Sequence, residues 1–323
     1  MRTLLLNGSL VRQLLGYPEC IDLMELALGT LARGDAVQPL RQVLAVPNRP
    51  TFLVTMPGWS GRPEILGIKV LSVMPENRET EGPSHQGFVA LFDVDHGAPV
   101  ALVDASALTE IRTAAVSALA TRLLSREDAR TLTIVGTGLQ AGAHARAIPR
   151  VRSIERLLLW GRRPEKARAL AAQLGPTAEV ATDLEAAVRS ADILCTTTAS
   201  RVPLVDGAWL KRGAHVNAVG ASAPGFRELT PSAVRAGRTF VDRRESAWAE
   251  ADELRIPRAE GTIGTDHVVG ELGEVLLGSV AGRRTPSEIT LFKSVGLAIE
   301  DLFAARRVYE RAVEAGAGQS VEL

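Results

Sequence analysis

Along the first hundred residues the apolar positions fall in short runs or alternate with polar ones; after Ser106 they recur at helical spacing. TLLL (3–6) reads as a short strand, and Pro18 fits the first turn of a helix that runs to about Ala32 and stops at Gly34. β-rich segments follow at LRQVLAV (40–46), TFLVTM (51–56), ILGIKVLSV (65–73), FVALFDV (88–94) and PVALVD (99–104). The last two are joined by Asp95-His96-Gly97-Ala98, a hairpin connection with glycine where a positive φ is needed. This region predicts an α+β block on an antiparallel sheet.

Leu108, Ile111, Ala115, Leu119 and Leu123 then predict one helix over SALTEIRTAAVSALATRLL (106–124). Beyond it apolar strands alternate with amphipathic helices: TLTIVG (131–136), RLLLW (156–160), ADILCTTT (191–198), AHVNAVG (214–220), RTFVD (238–242) and EITLFKS (288–294). Such alternation predicts an α/β fold with a Rossmann-type, doubly wound parallel sheet. GLAIEDLFAARRVYERAVEAG (296–316) predicts a final long helix that returns to the first block.

Length and charge narrow the partners. The 323 residues are enough for two domains with separate cores. Lysine plus arginine and aspartate plus glutamate each number 37, so nothing points to a polyanion, and nucleic acid is not expected. Cys20 and Cys195 are far apart, which suggests neither a disulfide framework nor a zinc site, and no other metal-ligand spacing stands out. MRTLLLNGSL is too short an apolar stretch for a signal peptide, and no run approaches the ~18 residues of a membrane span. A cytoplasmic protein is expected.

The chemistry begins at IVGTGLQA (134–141). Gly136, Gly138 and Ala141 form GxGxxA between an apolar strand and a helix. The first glycine permits the tight turn, the second lets a pyrophosphate approach the backbone, and the alanine lets helix and strand pack closely. A purely structural turn is the alternative. The end of the next strand selects the dinucleotide: an acid there would bind a ribose 2′-hydroxyl, whereas this chain has Gly161, Arg162 and Arg163 and no acid until Glu165. Arginines pair with a 2′-phosphate, so NADPH is preferred and NADH is the alternative, unless both arginines are merely solvated.

Three cations in the first block are candidates for a substrate carboxylate. Lys69 stands among aliphatic neighbours, where an ammonium is costly unless it meets an anion. Arg112 lies on the linking helix beside Thr113, and Arg41 in the strand LRQVLAV. Each alone could be a surface cation with a snorkelling stem. Among the histidines, His85 has a pKa suited to proton transfer and follows Lys69 by one loop; His144 reads as packing and His96 as a solvated turn residue.

Taken together, GIKV (67–70), GPSHQGFVALFD (82–93), LTEIRTAAVSALAT (108–121), IVGTGLQA (134–141), VNAVGASAPGFREL (216–229), GELGEVLLG (270–278) and TLFKSVGLAIED (290–301) resemble the ornithine cyclodeaminase/mu-crystallin family over nearly the whole chain. The resemblance implies a substrate-binding and dimerisation domain of residues 1–116 and 300–323, with an NAD(P)-binding Rossmann domain of residues 117–299 inserted in it, and a homodimer. It implies that Arg41, Lys69 and Arg112 hold a carboxylate, and that Thr113, Gly136, Gly138, Leu139 and Gln140 surround the pyrophosphate. Arg162 would face the 2′-phosphate, Val219 would touch the cofactor, and Val295 and Gly296 would lie by the nicotinamide, Gly296 next to the substrate.

Two departures bear on the reaction. True ornithine cyclodeaminases resembling this family carry an acid where this chain has Val54, and an aspartate where it has Ser222. Without these carboxylates a distal ammonium has little to bind. The expected activity is therefore NAD(P)H-dependent reduction of imines of 2-oxo acids, such as pyrroline-2-carboxylate, piperideine-2-carboxylate or iminosuccinate, to L-amino acids. Lys69 is the first candidate for proton donor, His85 the second, and Ser222 would position a water or the nitrogen. The competing readings are an alanine-type dehydrogenase or opine-like reductive aminase, an ornithine cyclodeaminase, and a non-catalytic protein that binds NADPH and a small ligand.

Overall fold

The computed structural model of the chain describes residues 2–75, 77 and 84–322. The chain forms two compact units, one of residues 1–112 with 297–323 and the other of residues 113–296.

The first unit is built on one mixed sheet. Its strands are β1 (Arg2–Leu6), β2 (Ala36–Val37), β3 (Gln42–Ala45), β4 (Phe52–Gly61), β5 (Glu64–Val73), β6 (His85–Phe92) and β7 (Pro99–Asp104), joined at the chain's end by β16 (Gln319–Glu322). They run in the order β16-β1-β7-β6-β5-β4-β2, with β3 also on β4. Helices α1 (Gly8–Leu14) and α2 (Tyr17–Ala32) precede β2, and α3 (Ala105–Leu124) follows β7. Pro18 stands in the first turn of α2, and Gly34 (φ 80°) takes the left-handed conformation just past its end. Gly97 (φ 70°) supplies the positive φ of the β6–β7 hairpin.

Three expectations are corrected. The sheet is not wholly antiparallel, because β1 joins β7 in parallel register. A parallel neighbour needs a long crossover, and about a hundred residues separate these two strands. Arg41 stands just before β3, not within a strand. β4 runs on through Met56-Pro57 to Gly61: β3 pairs with residues 52–55 and β2 with 59–60, so Pro57 falls in the gap where no neighbour on that side asks for its N–H.

The second unit carries β8 (Thr131–Val135), β9 (Arg156–Trp160), β10 (Ala178–Val180), β11 (Ile193–Thr196), β12 (His215–Ala218), β13 (Arg238–Val241), β14 (Val268–Glu271) and β15 (Thr290–Lys293). Every pair is parallel, in the order β10-β9-β8-β11-β12-β15-β13-β14. Between the strands lie α4 (Leu139–Ala147), α5 (Pro164–Leu174), α6 (Leu184–Ser190), α7 (Pro231–Ala236), α8 (Arg244–Glu250), α9 (Asp252–Ala259) and α10 (Leu272–Leu276). Strand order reverses between β8 and β11, the switch point beyond whose carboxyl ends open α/β sheets bind ligands.

Helix α11 (Ala298–Glu314) belongs to the first unit and packs on β4, β5 and β6. Its buried stripe includes Leu302, Phe303 and Val308. Gly67 of β5 admits it, since a Cβ there would meet Leu302 Cδ2 and the Ala90 carbonyl at 2.6 Å. No described helix is long and apolar enough to cross a membrane.

Candidate active site

Strand alternation carries Ile65, Gly67, Lys69 and Leu71 of β5 to the face that α11 covers. The ammonium of Lys69, 1% exposed, therefore lies in the core and must find an anion. That anion is Asp301, in the first turn of α11: Lys69 Nζ donates to Asp301 Oδ1 at 2.8 Å and to Thr109 Oγ1 of α3 at 2.6 Å. One helical turn further along α3, Arg112 donates from Nε to the same Asp301 oxygen at 2.9 Å and from Nη1 to Glu300 Oε2 at 2.8 Å. Both carboxylates are fully buried.

Burial, with the charges of Arg112 and Arg41, lowers Lys69 to about 8 against the opposing pull of Asp301. Burial would raise Asp301, but Arg112 and Lys69 outweigh it and hold that carboxyl below its ordinary value. Lys69 is thus held well below the ordinary lysine range inside a hydrogen-bonded cluster. Arg41, half-buried ahead of β3, acts on Lys69 through its charge.

The other first-unit candidates are arranged around this cluster. Val54 is buried on the same sheet face, opposite Leu71, one rung pair from the Met56–Lys69 pair. His85 opens β6 opposite Val73 and is exposed, with Nδ1 3.0 Å from Ser84 Oγ. Lys69 pairs with Val89, so His85 lies four residues, or roughly 13 Å, along the strand from Lys69's rung. The structure does not bring it to the ammonium. Gly82 and Pro83 of the GPSHQGF motif lie outside the described residues.

In the second unit the glycine loop has the shape of a phosphate cradle. Gly136 has φ 137°, and a Cβ there would meet Thr197 Oγ1 at 2.4 Å, so only glycine fits. Around Gly138 the space is open, and as the N-cap of α4 it leaves the helix's first amides without a side-chain acceptor. Leu139 is exposed, Gln140 half-buried and Thr113 buried. This cradle fits a dinucleotide pyrophosphate. His144, on the same helix, is structural: its Nδ1 donates to the Gln140 carbonyl at 2.8 Å, which leaves Nε2 to accept from Ser117 Oγ at 2.9 Å, and burial lowers it to about 4.

At the end of β9, Arg162 and Arg163 are exposed at the start of α5, whose N-cap, Arg163, makes no side-chain capping bond.

The segments that follow β12 and β15 are each pinned by a buried carboxylate that sequence reasoning missed. Glu228 accepts from the amides of Gly220 (2.8 Å) and Ala221 and from the amide and hydroxyl of Thr198, so it holds the turn between Val219 and Ser222. Asp242 Oδ2 accepts from the amides of Val295 (2.7 Å) and Gly296 (2.8 Å), the latter at φ 83°. Beside Glu228, Lys293 pairs with Glu253 at 2.9 Å, and Glu253 accepts from the Glu228 and Leu229 amides. A usable signal was present, since an acid directly after an apolar strand, as in RTFVD, must be solvated or bonded to backbone.

The profile of the ornithine cyclodeaminase/mu-crystallin family matches residues 1–316. The chain belongs to that family. Among its relatives, a Delta(1)-pyrroline-2-carboxylate reductase of Bacillus cereus is 39% identical, over 99% of this chain and 100% of its own length. The ketimine reductase mu-crystallin of Mus musculus is 36% identical, over 89% and 90%. Among solved structures, the Delta(1)-pyrroline-2-carboxylate reductase of Thermococcus litoralis in complex with NADH and L-proline superposes with a TM-score of 0.96 at 37% identity, covering 99% of this chain and 100% of that one. The family's fold accordingly describes this chain as well.

Proposed function

We propose that this protein is an NAD(P)H-dependent oxidoreductase that reduces imines of 2-oxo acids to L-amino acids, with a cyclic ketimine such as pyrroline-2-carboxylate as its best substrate. The observation that carries this reading is the buried Lys69–Arg112 cluster, in a chain whose relatives are pyrroline-2-carboxylate and ketimine reductases. Lys69, Arg112 and Arg41 hold the carboxylate, with arginine offering two parallel hydrogen bonds. Gly136, Gly138, Leu139, Gln140 and Thr113 receive the pyrophosphate, and Val219, Val295 and Gly296 the nicotinamide end, Gly296 also bordering the substrate. A dihydronicotinamide held there supplies the hydride for the imine carbon. Lys69 supplies the proton for the nitrogen and Ser222 orients it or a water; His85, exposed and four residues along the strand from Lys69's rung, is not placed to act as the donor.

Val54 favours an imine over a diamine, because the position on Lys69's sheet face holds no carboxylate for a distal ammonium. The test is oxidation of NADPH and NADH with pyrroline-2-carboxylate, piperideine-2-carboxylate, iminosuccinate, and pyruvate plus ammonia, with ornithine plus NAD as reverse control. Turnover of a preformed imine is expected; turnover only with keto acid and free amine would replace this reading by a reductive aminase.

NADPH is the preferred form in this reading. Arg162 and Arg163 flank the uncapped start of α5, and no acid ends β9. Arg162→Ala should raise KM for NADPH about tenfold and leave KM for NADH unchanged, since one charge-assisted bond to the 2′-phosphate contributes about 1.5–3 kcal/mol. Equal effects on both dinucleotides would show that Arg162 does not read that phosphate.

A homodimer is also proposed. On the sheet face opposite α11, Leu44, Leu53, Leu66 and Phe88 are 36–63% exposed and adjoin half-buried Val70. An apolar face of this kind suits a second copy of the same sheet. The double substitution Leu53→Lys with Phe88→Lys should halve the mass measured by sedimentation velocity, and an unchanged mass would place the contact elsewhere.

A further inference from the structure

We infer that Asp301 is a positioning residue for imine reduction: its Oδ1 holds Lys69 as an ammonium within the sheet, so that Lys69 can release a proton to the substrate nitrogen and regain it. This inference rests on the reductase reading above.

The geometry distinguishes Asp301 from its neighbour. Both α11 carboxylates are fully buried, yet Asp301 bonds Lys69 and Arg112 through one oxygen, whereas Glu300 bonds Arg112 and the Leu297 amide. The groups around Lys69 come from four elements and from the segment before β3. α11 contributes Asp301 and Glu300; α3 contributes Thr109 and Arg112; Arg41 acts from the segment before β3; and the flanking strands place the non-titrating Met56 and Val89 beside it. Cys20 of α2, within reach of the same charges, is pushed far up by burial and stays a neutral thiol. Burial, Arg112 and Arg41 all act to strip the proton from Lys69, and Asp301 is the charge that opposes them.

The arrangement also tolerates the proton's departure. As hydride bonds to the imine carbon, the C=N π pair moves onto nitrogen, which forms an N–H bond with a proton from Lys69 Nζ and leaves Lys69 a neutral amine. Asp301 keeps Arg112 as its counter-ion, so no bare carboxylate remains in the core. The Thr109 hydroxyl, which accepts from the ammonium, can turn to donate to the neutral amine. Water returns the proton after product release.

Activity in this scheme needs protonated Lys69, so kcat/KM falls as pH rises through about 8. Asp301→Asn removes the charge that raises Lys69 and should move this basic limb to lower pH by about one unit or more, a loss of about fivefold or more at pH 8. Glu300→Gln removes an equal charge from the same helix turn, one bonded to Arg112 and not to Lys69, and Thr109→Val removes the neutral partner of Lys69; in both, the limb should move far less than in Asp301→Asn. The same displacement, confined to Asp301→Asn, is expected in the pH dependence of L-proline binding followed by calorimetry, which needs no turnover.

A limb unmoved in Asp301→Asn, or moved equally in Glu300→Gln, overturns the inference and leaves Asp301 a structural ion pair. Where Asp301→Asn does not fold, the other two variants decide: limbs little moved support the assignment, and a limb displaced by about a full unit in Thr109→Val transfers the role to Thr109 and overturns it. Failure of the wild-type protein to reduce any imine is a separate result, against the reductase reading itself.

Discussion

Replacing Lys69 with methionine is expected to lower kcat/KM for pyrroline-2-carboxylate by about 10³-fold, the largest loss anticipated from any single substitution in the first unit. Two effects combine. A positioned general acid contributes about 10²–10⁴-fold, and a charge-assisted bond to a carboxylate about 1.5–3 kcal/mol. Methionine fills the volume of the buried stem, and Asp301 keeps Arg112, so the variant should still fold. Lys69→Arg separates the two effects. Arginine stays charged throughout, so carboxylate binding and KM should largely survive while kcat falls and the basic limb near pH 8 disappears. Near-normal kcat in Lys69→Met would exclude it as the proton donor.

The reason Lys69 could be singled out beforehand is the same reason its partner could not. A lysine in the apolar run ILGIKVLSV announces a buried charge, because strand alternation leaves it no route to solvent. Asp301 sits in GLAIED, where acids in a helix's first turn are ordinary companions of the macrodipole and suggest nothing buried. Only the placement of α11 on β5 reveals that this first turn faces the sheet. The glycine loop was legible for a local reason: strand, turn and helix follow one another within residues 131–147, so the cradle at Gly136 and Gly138 needs no tertiary information.

Elements without a period of their own stayed hidden. β2 has two residues, β10 has three, and β16 (QSVE) is an exposed edge strand without apolar alternation, recruited by pairing with β1. The family resemblance adds candidate residues in the loops but not the carboxylates that hold those loops, since Glu228 and Asp242 act through backbone amides brought from other segments.

Those carboxylates lead to the second large effect, on stability. Lys293→Met is expected to destabilise the protein by about 3–5 kcal/mol, because it leaves buried charge without its partner. In a unit of this size such a loss lowers Tm by roughly 10 °C. Lys293 and Glu253 are each 1% exposed, and Lys293 also donates to the Ala218 carbonyl at 3.2 Å. Glu228 stands next to this pair: burial and then Glu253 push it up to about 7, against the pull of Lys293 and Thr198.

Removing the ammonium raises Glu228 further, and the sign of the pH dependence follows. A carboxyl whose folded pKa exceeds its unfolded value binds a proton better in the folded state, so its penalty is absent at low pH and grows as pH rises through the folded pKa. The stability gap between Lys293→Met and wild type should therefore be larger at pH 8 than at pH 6, measured by urea unfolding. Adding Glu253→Gln to Lys293→Met removes one of the stranded charges and should recover much of the loss. A gap independent of pH and untouched by Glu253→Gln would mean that Lys293 stabilises the second unit by packing, and that the turn at Gly220 does not depend on its charge.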